Sequence, residues 1–297
     1  MDVSIIIVNY NTLQLTKDCL NSIFDKTKGL SVEVVLVDNN SNDGSAELFA
    51  QDKRITFIES GENLGFGKAN NLGLKYAKGK YIFFLNSDTL LVNNAVKKFF
   101  DFAESRKDKI GAIGCLLSDQ NGKNIHSFSK FPSIYWPFRT VVVAHLYHFV
   151  LHKKYQLYDK TNDDVKQPSF LVDYVTGADL FVQRKVIDEC GGFDPDFFMY
   201  YEETEMQYRW SKKGYLSYII KTPQIIHLEG GSQDKSKIFS LDKFLRAFKS
   251  EKLYFKKTKN KKNYLIYRLC AFIYIIVFIK NKISFQDFSK IINILMD

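Results

Sequence analysis

The sequence has few of the features that define several protein classes. Its four cysteines, Cys19, Cys115, Cys190 and Cys270, lie far apart and none belongs to a CxxC pair, which disfavours a disulfide framework and a zinc knuckle. The chain begins MDVSIIIV, with neither a basic n-region nor a cleavage site. No secretory signal is predicted, so the expected location is cytoplasmic.

Two further absences bear on whether the protein binds a nicotinamide cofactor and whether it spans a membrane. The stretch Asn63–Lys68 reads NLGFGK, but the next glycine is Gly73, so the GxGxxG pattern of dinucleotide sites is not met. Near the C-terminus the apolar run LCAFIYIIVFI (269–279) has 11 residues, whereas a spanning helix needs about 20. A nicotinamide cofactor and a membrane-spanning helix at this run are therefore disfavoured.

Positive charge is concentrated in the last fifth of the chain. Lys and Arg number 27 against 29 Asp and Glu in residues 1–234, and 15 against 4 in residues 235–297. A nucleic-acid partner is not expected, because basic residues do not form an even face with recognition motifs. Since the tail is also apolar, a membrane surface is the favoured partner, with a buried helix or a homodimer contact as alternatives.

The first third alternates between strand-like and helix-like stretches. Continuous apolar runs at 3–8, 32–37, 55–58 and 81–85 are separated by amphipathic stretches such as 12–24 and 68–77. Continuous rather than alternating apolar strands are typical of a parallel sheet covered on both faces. We therefore predict an α/β fold with a Rossmann-like nucleotide-binding sheet in residues 1–234 and a basic, apolar helical tail in residues 235–297.

Polar residues follow three of these strands. They are Asn9-Tyr10-Asn11, Asp38-Asn39-Asn40-Ser41 and Asn86-Ser87-Asp88. In open α/β sheets ligands bind beyond the carboxyl ends of the strands, so three such ends favour a site over three ordinary turns. Asp88 is the better candidate for a divalent cation, since Mg²⁺ and Mn²⁺ prefer oxygen ligands.

The densest acidic cluster, Glu202-Glu203-Thr204-Glu205, follows the aromatic run FFMYY. A solvated first helical turn would explain the acids, but neighbouring rings favour a carboxylate with a raised pKa that accepts protons near neutral pH. His227 precedes the Gly-rich loop 229–232 and is a candidate ligand for a metal or diphosphate. By contrast His145, His148 and His152, at helical spacing, are better explained as one face of an amphipathic helix than as a metal site.

Several ordered motifs carry a family resemblance across roughly residues 2–232. They read SIIIVNYN, VLVDNNSNDGS, ENLGFGKANNLGL, YIFFLNSDT, GADLFVQRKVIDECGGFDPDFFMYYEETEMQYRWSKKGY and HLEGGS. In this order they resemble the inverting family 2 glycosyltransferases of the GT-A fold, particularly the rhamnosyltransferase-like branch that builds surface polysaccharides. The number of motifs makes the resemblance specific, although each motif alone is weak.

The resemblance implies roles for particular residues. Asp38 matches the acid that recognises the nucleobase, Asn86-Ser87-Asp88 the DxD-type metal motif, Glu203 the general base, and His227 the histidine that closes the metal and diphosphate site. The residues expected to bind the donor are Val8, Asn9, Asn11, Asp38, Asn63, Gly65, Lys68, Asn70, Asn86, Ser87 and Asp88. Those expected on the acceptor side are Gly177, Ala178, Asp179 and Glu202. Residues 1–117 would form the nucleotide-sugar half and residues 118–234 the acceptor and catalytic half.

Two positions depart from the family pattern. Asn86 stands at the first acid of DxD, which leaves Asp88 and His227 as the expected ligands of Mg²⁺ or Mn²⁺. The base is Glu203 rather than the commoner Asp, and Glu205 stands where another Asp is usual. A Glu carboxylate reaches one methylene further than that of Asp.

The implied activity is metal-assisted, inverting transfer of a sugar from a nucleoside-diphosphate sugar to a hydroxyl of a glycan or lipid-linked acceptor, by an enzyme peripheral to the inner face of the cell membrane. One rival is a nucleotidyltransferase, which would need a basic, glycine-rich loop directly after the first strand, where the sequence has Asn9-Tyr10-Asn11-Thr12. The other is a catalytically inactive scaffold with the same shell. The identity of the sugar stays open.

Overall fold

The computed structural model describes residues 1–134, 167–228, 241–276 and 284–296. The histidines at 145, 148 and 152, the loop 229–232 and the lysines at 280 and 282 lie outside these residues. The chain divides into two compact units, Met1–Lys130 with Thr161–Ile238 and Phe131–Lys160 with Phe239–Asp297.

Strands and helices alternate in the first unit. Its strands are β1 (Val3–Asn9), β2 (Val32–Asp38), β3 (Thr56–Glu59), β4 (Tyr81–Asn86), β5 (Thr89–Leu91), β6 (Ile110–Cys115), β7 (Phe128–Ser129), β8 (Ser169–Val172), β9 (Tyr174–Val175), β10 (Asp179–Gln183), β11 (Leu216–Ile220) and β12 (Ile225–His227). Its helices are α1 (Leu13–Lys26), α2 (Ser45–Phe49), α3 (Phe66–Leu74), α4 (Ala95–Ser105), α5 (Arg184–Cys190) and α6 (Glu202–Ser211). The second unit contains α7 (Leu241–Thr258), α8 (Lys261–Tyr274) and α9 (Phe285–Met296).

An eight-stranded sheet organises the first unit, in the order β3-β2-β1-β4-β10-β6-β11-β8. The four strands from the first third of the chain pair in parallel, as the apolar runs predict. β10 enters antiparallel between β4 and β6, and β8 adds an antiparallel edge. The sheet is therefore mixed, with a parallel half that carries the predicted nucleotide site.

Both faces of this sheet are buried, which explains the unbroken apolar strands. Ile5 and Ile7 of β1 pack on one face with Leu20 of α1 and Phe99 of α4. Ile6 lies on the other face against Gly73 of α3, in a cluster that also includes Val186 of α5 and Met206 and Trp210 of α6. Successive side chains of a strand point to opposite faces, so the helices on both sides fix the register of β1.

A short second sheet brings a distant segment to the end of β4. β12 pairs antiparallel with β5, and His227 is the register partner of Thr89. β5 begins directly after Asp88, so this pairing places His227 beside the end of β4.

In the second unit α7, α8 and α9 contact one another. The ring of Tyr267 in α8 stacks on that of Phe255 in α7 with centroids 4.2 Å apart, and Lys252 Nζ of α7 donates to the Ile294 carbonyl of α9 at 2.6 Å. Among the described residues, no helix combines the length and the apolar character needed to cross a membrane.

Candidate active site

Register brings the polar ends of three parallel strands together. Asn9 of β1 is the partner of Asp38 in β2, and Val8 is the partner of Asn86 in β4. Val8 itself is half-buried. The predicted donor residues of these three strands therefore share one edge of the sheet.

Asn9 is the hub of this edge. Its side chain is fully buried, and its amide donates to Asp38 Oδ1 at 2.6 Å and to Ser41 Oγ at 3.0 Å. Its Oδ1 accepts from the hydroxyls of Thr12 and Thr16 at 2.8 and 2.6 Å. Both N–H groups and both lone pairs of the amide are thus used by protein partners. Asn9 orients its neighbours rather than offering free groups to a ligand.

Asp38 is 2% exposed. Besides the bond from Asn9, its Oδ2 accepts from the Ser41 amide at 2.9 Å. A carboxylate has about four acceptor positions, so further bonds remain open to it and its contact with a nucleobase stays a prediction. Exposed Asn11, at φ 54, joins the two loops, since its Oδ1 accepts from the Asn42 amide at 2.8 Å.

The loop before α3 is tied to the end of β2 by Asn39. Its Oδ1 accepts from the Leu64 amide at 2.9 Å, and its Nδ2 donates to Asn63 Oδ1 at 3.1 Å. The same Asn63 oxygen accepts from the Gly65 amide at 3.0 Å. Asn63 therefore shapes the turn at Gly65. Asn39, 3% exposed, is a site-building residue that the sequence alone left without a role.

Position 65 requires glycine for two reasons: the backbone has a φ of +77, and the backbone of Phe198 approaches it closely. A Cβ atom there would overlap the carbonyl oxygen of Phe198, and that oxygen accepts a 3.0 Å bond from the Phe66 amide. Of the other residues predicted in this loop and helix, Lys68 is exposed in the first turn of α3. Asn70 is 1% exposed and donates to the Phe66 carbonyl at 3.0 Å, a bond within its own helix.

The end of β4 and the end of β12 bring together Asn86, Asp88 and His227. His227 Nε2 lies 3.1 Å from Asp88 Oδ1 and 3.4 Å from Asn86 Nδ2. Asp88 and His227 are 13% and 14% exposed. Ser87, 9% exposed, has its hydroxyl 3.1 Å from that of Thr12, which links this cluster to the Asn9 hub.

Asp88 and His227 fit a divalent cation as an incomplete ligand pair. Two ligands at right angles and about 2.1 Å from one ion lie about 3 Å apart, which matches the observed separation. In the part of the chain that is described, no group of three or more His, Cys, Asp or Glu is placed to hold a metal. Mg²⁺ and Mn²⁺ commonly complete such a site with water and substrate phosphates, so the pair suits an ion that binds with a diphosphate.

Glu203 lies in the first turn of α6, and the two residues that precede this helix have an unusual backbone conformation. Tyr200 and Tyr201 both have left-handed φ values, 71 and 67. This conformation is uncommon outside glycine and costs of order 1–3 kcal/mol per residue. Two in succession directly before a candidate base hold α6 in a particular orientation. The sequence gives no signal for them, because tyrosine has no preference for this region.

Burial raises the pKa of both acids at the start of α6. Glu203 is half-buried, and desolvation raises its pKa to about 6. Glu202 is 4% exposed, and desolvation together with the charge of Glu203 raises its pKa well above the ordinary value. Near neutral pH Glu203 is therefore ionised and able to accept a proton, while burial and the neighbouring charge favour the protonated form of Glu202.

Three other side chains of α6 fix the helix in place. Glu205 Oε1 accepts from Arg209 Nε at 2.7 Å, and the Arg209 guanidinium also donates to the carbonyls of Cys190 and Gly192. Gln207 bonds the backbone of Val175 in both directions, at 2.9 and 2.7 Å. Glu205 is thus an anchoring acid, which leaves Glu203 as the accessible carboxylate of the cluster.

The predicted acceptor-side residues have different environments. At Gly177 an added Cβ would be tight against the Phe66 ring, at 3.2 Å, and in ordinary contact with Glu203 Cβ, at 3.9 Å. The Ala178 carbonyl accepts from the Asn86 amide at 3.0 Å. Asp179 is fully buried, its Oδ2 accepts from the Cys115 amide at 2.7 Å, and desolvation raises its pKa to about 7. Asp179 and Glu202, the first residues of β10 and α6, are thus both buried, and their place on the acceptor side stays a prediction.

Comparison with known proteins gives the family. The model of glycosyl transferase family 2 matches residues 4–170, more than half of the chain. The chain belongs to this family. The predicted family resemblance is confirmed, and the matched region contains the hub at Asn9, the Gly65 loop and Asp88. Glu203 and His227 lie beyond the matched residues.

Two curated relatives are rhamnosyltransferases. The chain is 25% identical over 219 residues to the N-acetylglucosaminyl-diphospho-decaprenol L-rhamnosyltransferase of Mycobacterium tuberculosis, a match that covers 66% of each protein. It is 26% identical over 234 residues to the dTDP-rhamnosyl transferase RfbF of Shigella flexneri, covering 78% of this chain and 69% of that protein. The chain thus spans about two thirds of the length of these relatives.

A solved structure supports the fold. The mannosyltransferase PcManGT of Pyrobaculum calidifontis, in complex with GDP-Man and Mn²⁺, superposes with a TM-score of 0.56 at 15% identity, over 98% of this chain and 78% of that chain. The predicted GT-A-type α/β fold with a helical C-terminal part is confirmed.

Proposed function

We propose that the protein transfers a sugar from a nucleoside-diphosphate sugar to a hydroxyl group of a glycan or lipid-linked acceptor, with inversion at the anomeric carbon. Membership of glycosyl transferase family 2 supports the reaction class. The names of the two relatives support an activated rhamnose or a similar hexose as donor and a lipid diphosphate glycan as acceptor. Such an acceptor would place the enzyme at the inner face of the cell membrane, as a peripheral protein.

The observation that carries the proposal is the half-buried carboxylate of Glu203, whose pKa is raised to about 6. At neutral pH this group is ionised yet basic enough to accept the proton of an attacking hydroxyl, which is the requirement for a general base. The proton moves from the acceptor oxygen to a Glu203 carboxylate oxygen as that acceptor oxygen bonds to the anomeric carbon. A single displacement inverts the configuration, and the nucleoside diphosphate leaves with the electrons of the broken bond.

Asp88 and His227 would hold Mg²⁺ or Mn²⁺, with Asn86 beside them. A bound cation would stabilise the negative charge of the departing diphosphate as a Lewis acid. The remaining donor contacts are assigned to Asp38 for the base and to the loop around Asn63 and Gly65. Lys68 is assigned to the anionic part of the donor, because it is exposed in the first turn of α3, where a positive charge and the helix N-terminus both favour anions.

The test is a donor panel with the full chain. Release of nucleoside diphosphate from dTDP-rhamnose, UDP-galactose and UDP-glucose would be measured with Mg²⁺ or Mn²⁺ and an extract of lipid-linked glycans as acceptor. We expect one donor to be consumed in an acceptor-dependent reaction, and NMR of the product to show inversion. Binding of nucleotides without turnover of any donor would favour the inactive scaffold instead, and a retained configuration would exclude the single displacement.

A further inference from the structure

Helix α8 is apolar on two opposite faces, and the residues that the structure describes cover only one of them. On the inner face Tyr267, Ala271 and Ile275 are at most 1% exposed. The Tyr267 ring stacks on Phe255 of α7, and its hydroxyl bonds Glu251 Oε1 at 3.0 Å. Packing within the second unit therefore buries this face.

The outer face carries a row of exposed large side chains that we call the α8 stripe. Its members and their exposed fractions are Leu265 66%, Leu269 60%, Phe272 38%, Ile273 41% and Ile276 39%. At about 100° per residue these positions fall within one arc of about 100° on the helix surface. Single exposed apolar residues are ordinary, but a contiguous row marks a surface that binds something apolar.

The N-terminal end of the same arc is basic. Lys261 and Lys262 are exposed, and by the same spacing they lie on the arc of Leu265 and Leu269. Exposed Lys256 precedes them at the end of α7, and α8 contains no acidic residue. The stripe therefore presents positive charge and apolar surface together, which is the pattern of helices that lie in a membrane interface.

We propose that the α8 stripe docks the protein on an anionic lipid surface, with α8 parallel to the membrane plane. The lysines would contact anionic headgroups while the five apolar side chains enter the acyl boundary. With 14 residues, α8 has a length of about 21 Å and cannot span a hydrocarbon core of about 30 Å. A second copy of the chain is less suited to cover the stripe, because an identical α8 supplies no acid for Lys261 and Lys262. The proposal adds a docking surface to the proposed function but requires no catalytic residue.

Vesicle sedimentation with the full chain tests this surface. Vesicles of phosphatidylcholine with about one third phosphatidylglycerol would be compared with pure phosphatidylcholine. We expect the chain to sediment with the anionic vesicles, and the double variant Leu265→Glu/Leu269→Glu to lower the partition constant about tenfold or more. Lys261→Glu/Lys262→Glu should weaken binding to anionic vesicles and lower its salt dependence.

Leu171→Glu is the matched control, because Leu171 is 57% exposed on β8 in the first unit. It should sediment like the unchanged chain, and thermal unfolding should show all variants folded. Equal sedimentation of the Leu265→Glu/Leu269→Glu variant and the unchanged chain would overturn the proposal. So would absence of vesicle binding, or light scattering that shows a dimer which this variant disrupts. Transfer to a detergent-solubilised acceptor in the absence of vesicles separates the two ideas, since this acceptor-dependent turnover should survive loss of the stripe and would be missing if the proposed function is wrong.

Discussion

The backbone of Gly65 lies directly against the carbonyl of Phe198, and the neighbouring Phe66 amide donates a 3.0 Å bond to that same oxygen. The loop that follows β3 is thereby joined to the segment that leads into Glu203. Asn39, which follows β2, bonds Asn63 and Leu64 of this loop. The predicted nucleotide edge and the candidate base are therefore parts of one bonded framework.

Gly65→Ala should therefore disturb the base more than the donor. The added methyl overlaps the Phe198 carbonyl, so the segment before Glu203 must move, and we expect turnover to fall about tenfold or more with a smaller change in the donor KM. Gly61→Ala is the control, since Gly61 has the same φ of +77 but no atom within 4 Å of its Cβ position. Steady-state kinetics of both variants separate overlap from backbone strain. Equal losses in the two would show that only the left-handed conformation matters.

Glu203→Gln should lower turnover by about 10²-fold or more and leave donor affinity nearly unchanged, because the amide cannot accept the proton. Glu202→Gln is the comparison. Glu202 is buried, and desolvation together with the charge of Glu203 raises its pKa well above the ordinary value, which favours the protonated form. An amide resembles a protonated carboxyl in size and charge, so most turnover should remain. Near-native turnover in Glu203→Gln, or a larger loss in Glu202→Gln, would contradict the assignment of the base.

The pH dependence of turnover should report the same group. A base acts in its ionised form, and desolvation raises the pKa of Glu203 to about 6. Turnover should therefore rise with pH through about 6 and become level above it, and it should fall on the acidic side as Glu203 is protonated. The residual activity of Glu203→Gln should lack this limb. An unchanged acidic limb in that variant would assign the titration to a different group.

Asp88→Ala should weaken donor binding only when metal is present. With asparagine at position 86, Asp88 is the carboxylate that the end of β4 can offer to a cation, so its removal should cost about tenfold or more in donor affinity. Calorimetric titration of the donor with Mn²⁺ and with EDTA measures this. The unchanged chain should lose affinity in EDTA, and the variant should be almost insensitive. Equal donor affinity of the unchanged chain in both buffers would remove the metal from the mechanism.

Asn9→Ala should destabilise the first unit by about 2–4 kcal/mol, because it leaves Asp38, Thr12 and Thr16 each short of a buried partner. Urea unfolding measures the change as a lower midpoint with a similar slope. Asn42→Ala, at an exposed position of the neighbouring loop, should stay within about 0.5 kcal/mol of the unchanged chain. A small effect at Asn9 would mean that water replaces its four bonds.

The sequence predicts the parallel half of the sheet and its polar edge well, for a physical reason. Strands buried on both faces are mainly apolar, so the polar residues Asn9, Asp38 and Asn86 mark the carboxyl ends of the strands. Their convergence follows because parallel strands end at one edge. The sequence could not show that protein partners use all the hydrogen-bonding positions of the Asn9 amide. This depends on where the fold places Thr12, just before α1, and Thr16, within α1.

Other parts of the site depend on contacts between distant segments. The antiparallel entry of β10 buries Asp179, which sequence alone places on the acceptor side, and α6 does the same to Glu202. The left-handed tyrosines before Glu203 carry no local pattern, and neither do the bonds from Arg209 to the carbonyls of Cys190 and Gly192. They result from tertiary packing, which overrides what local preference would predict.

The pairing of β12 with β5 sets an order for assembly of the site. Asn86 and His227 are 141 residues apart in the chain, so the cluster at the end of β4 cannot close until nearly all of the first unit has been synthesised. Contacts of such long sequence separation form late in folding, because loop closure must precede them. A ribosome-bound chain that has reached only residue 117 would present the nucleotide edge without His227 or Glu203, and proteolytic fragments from that half should bind nucleotide at best and transfer nothing.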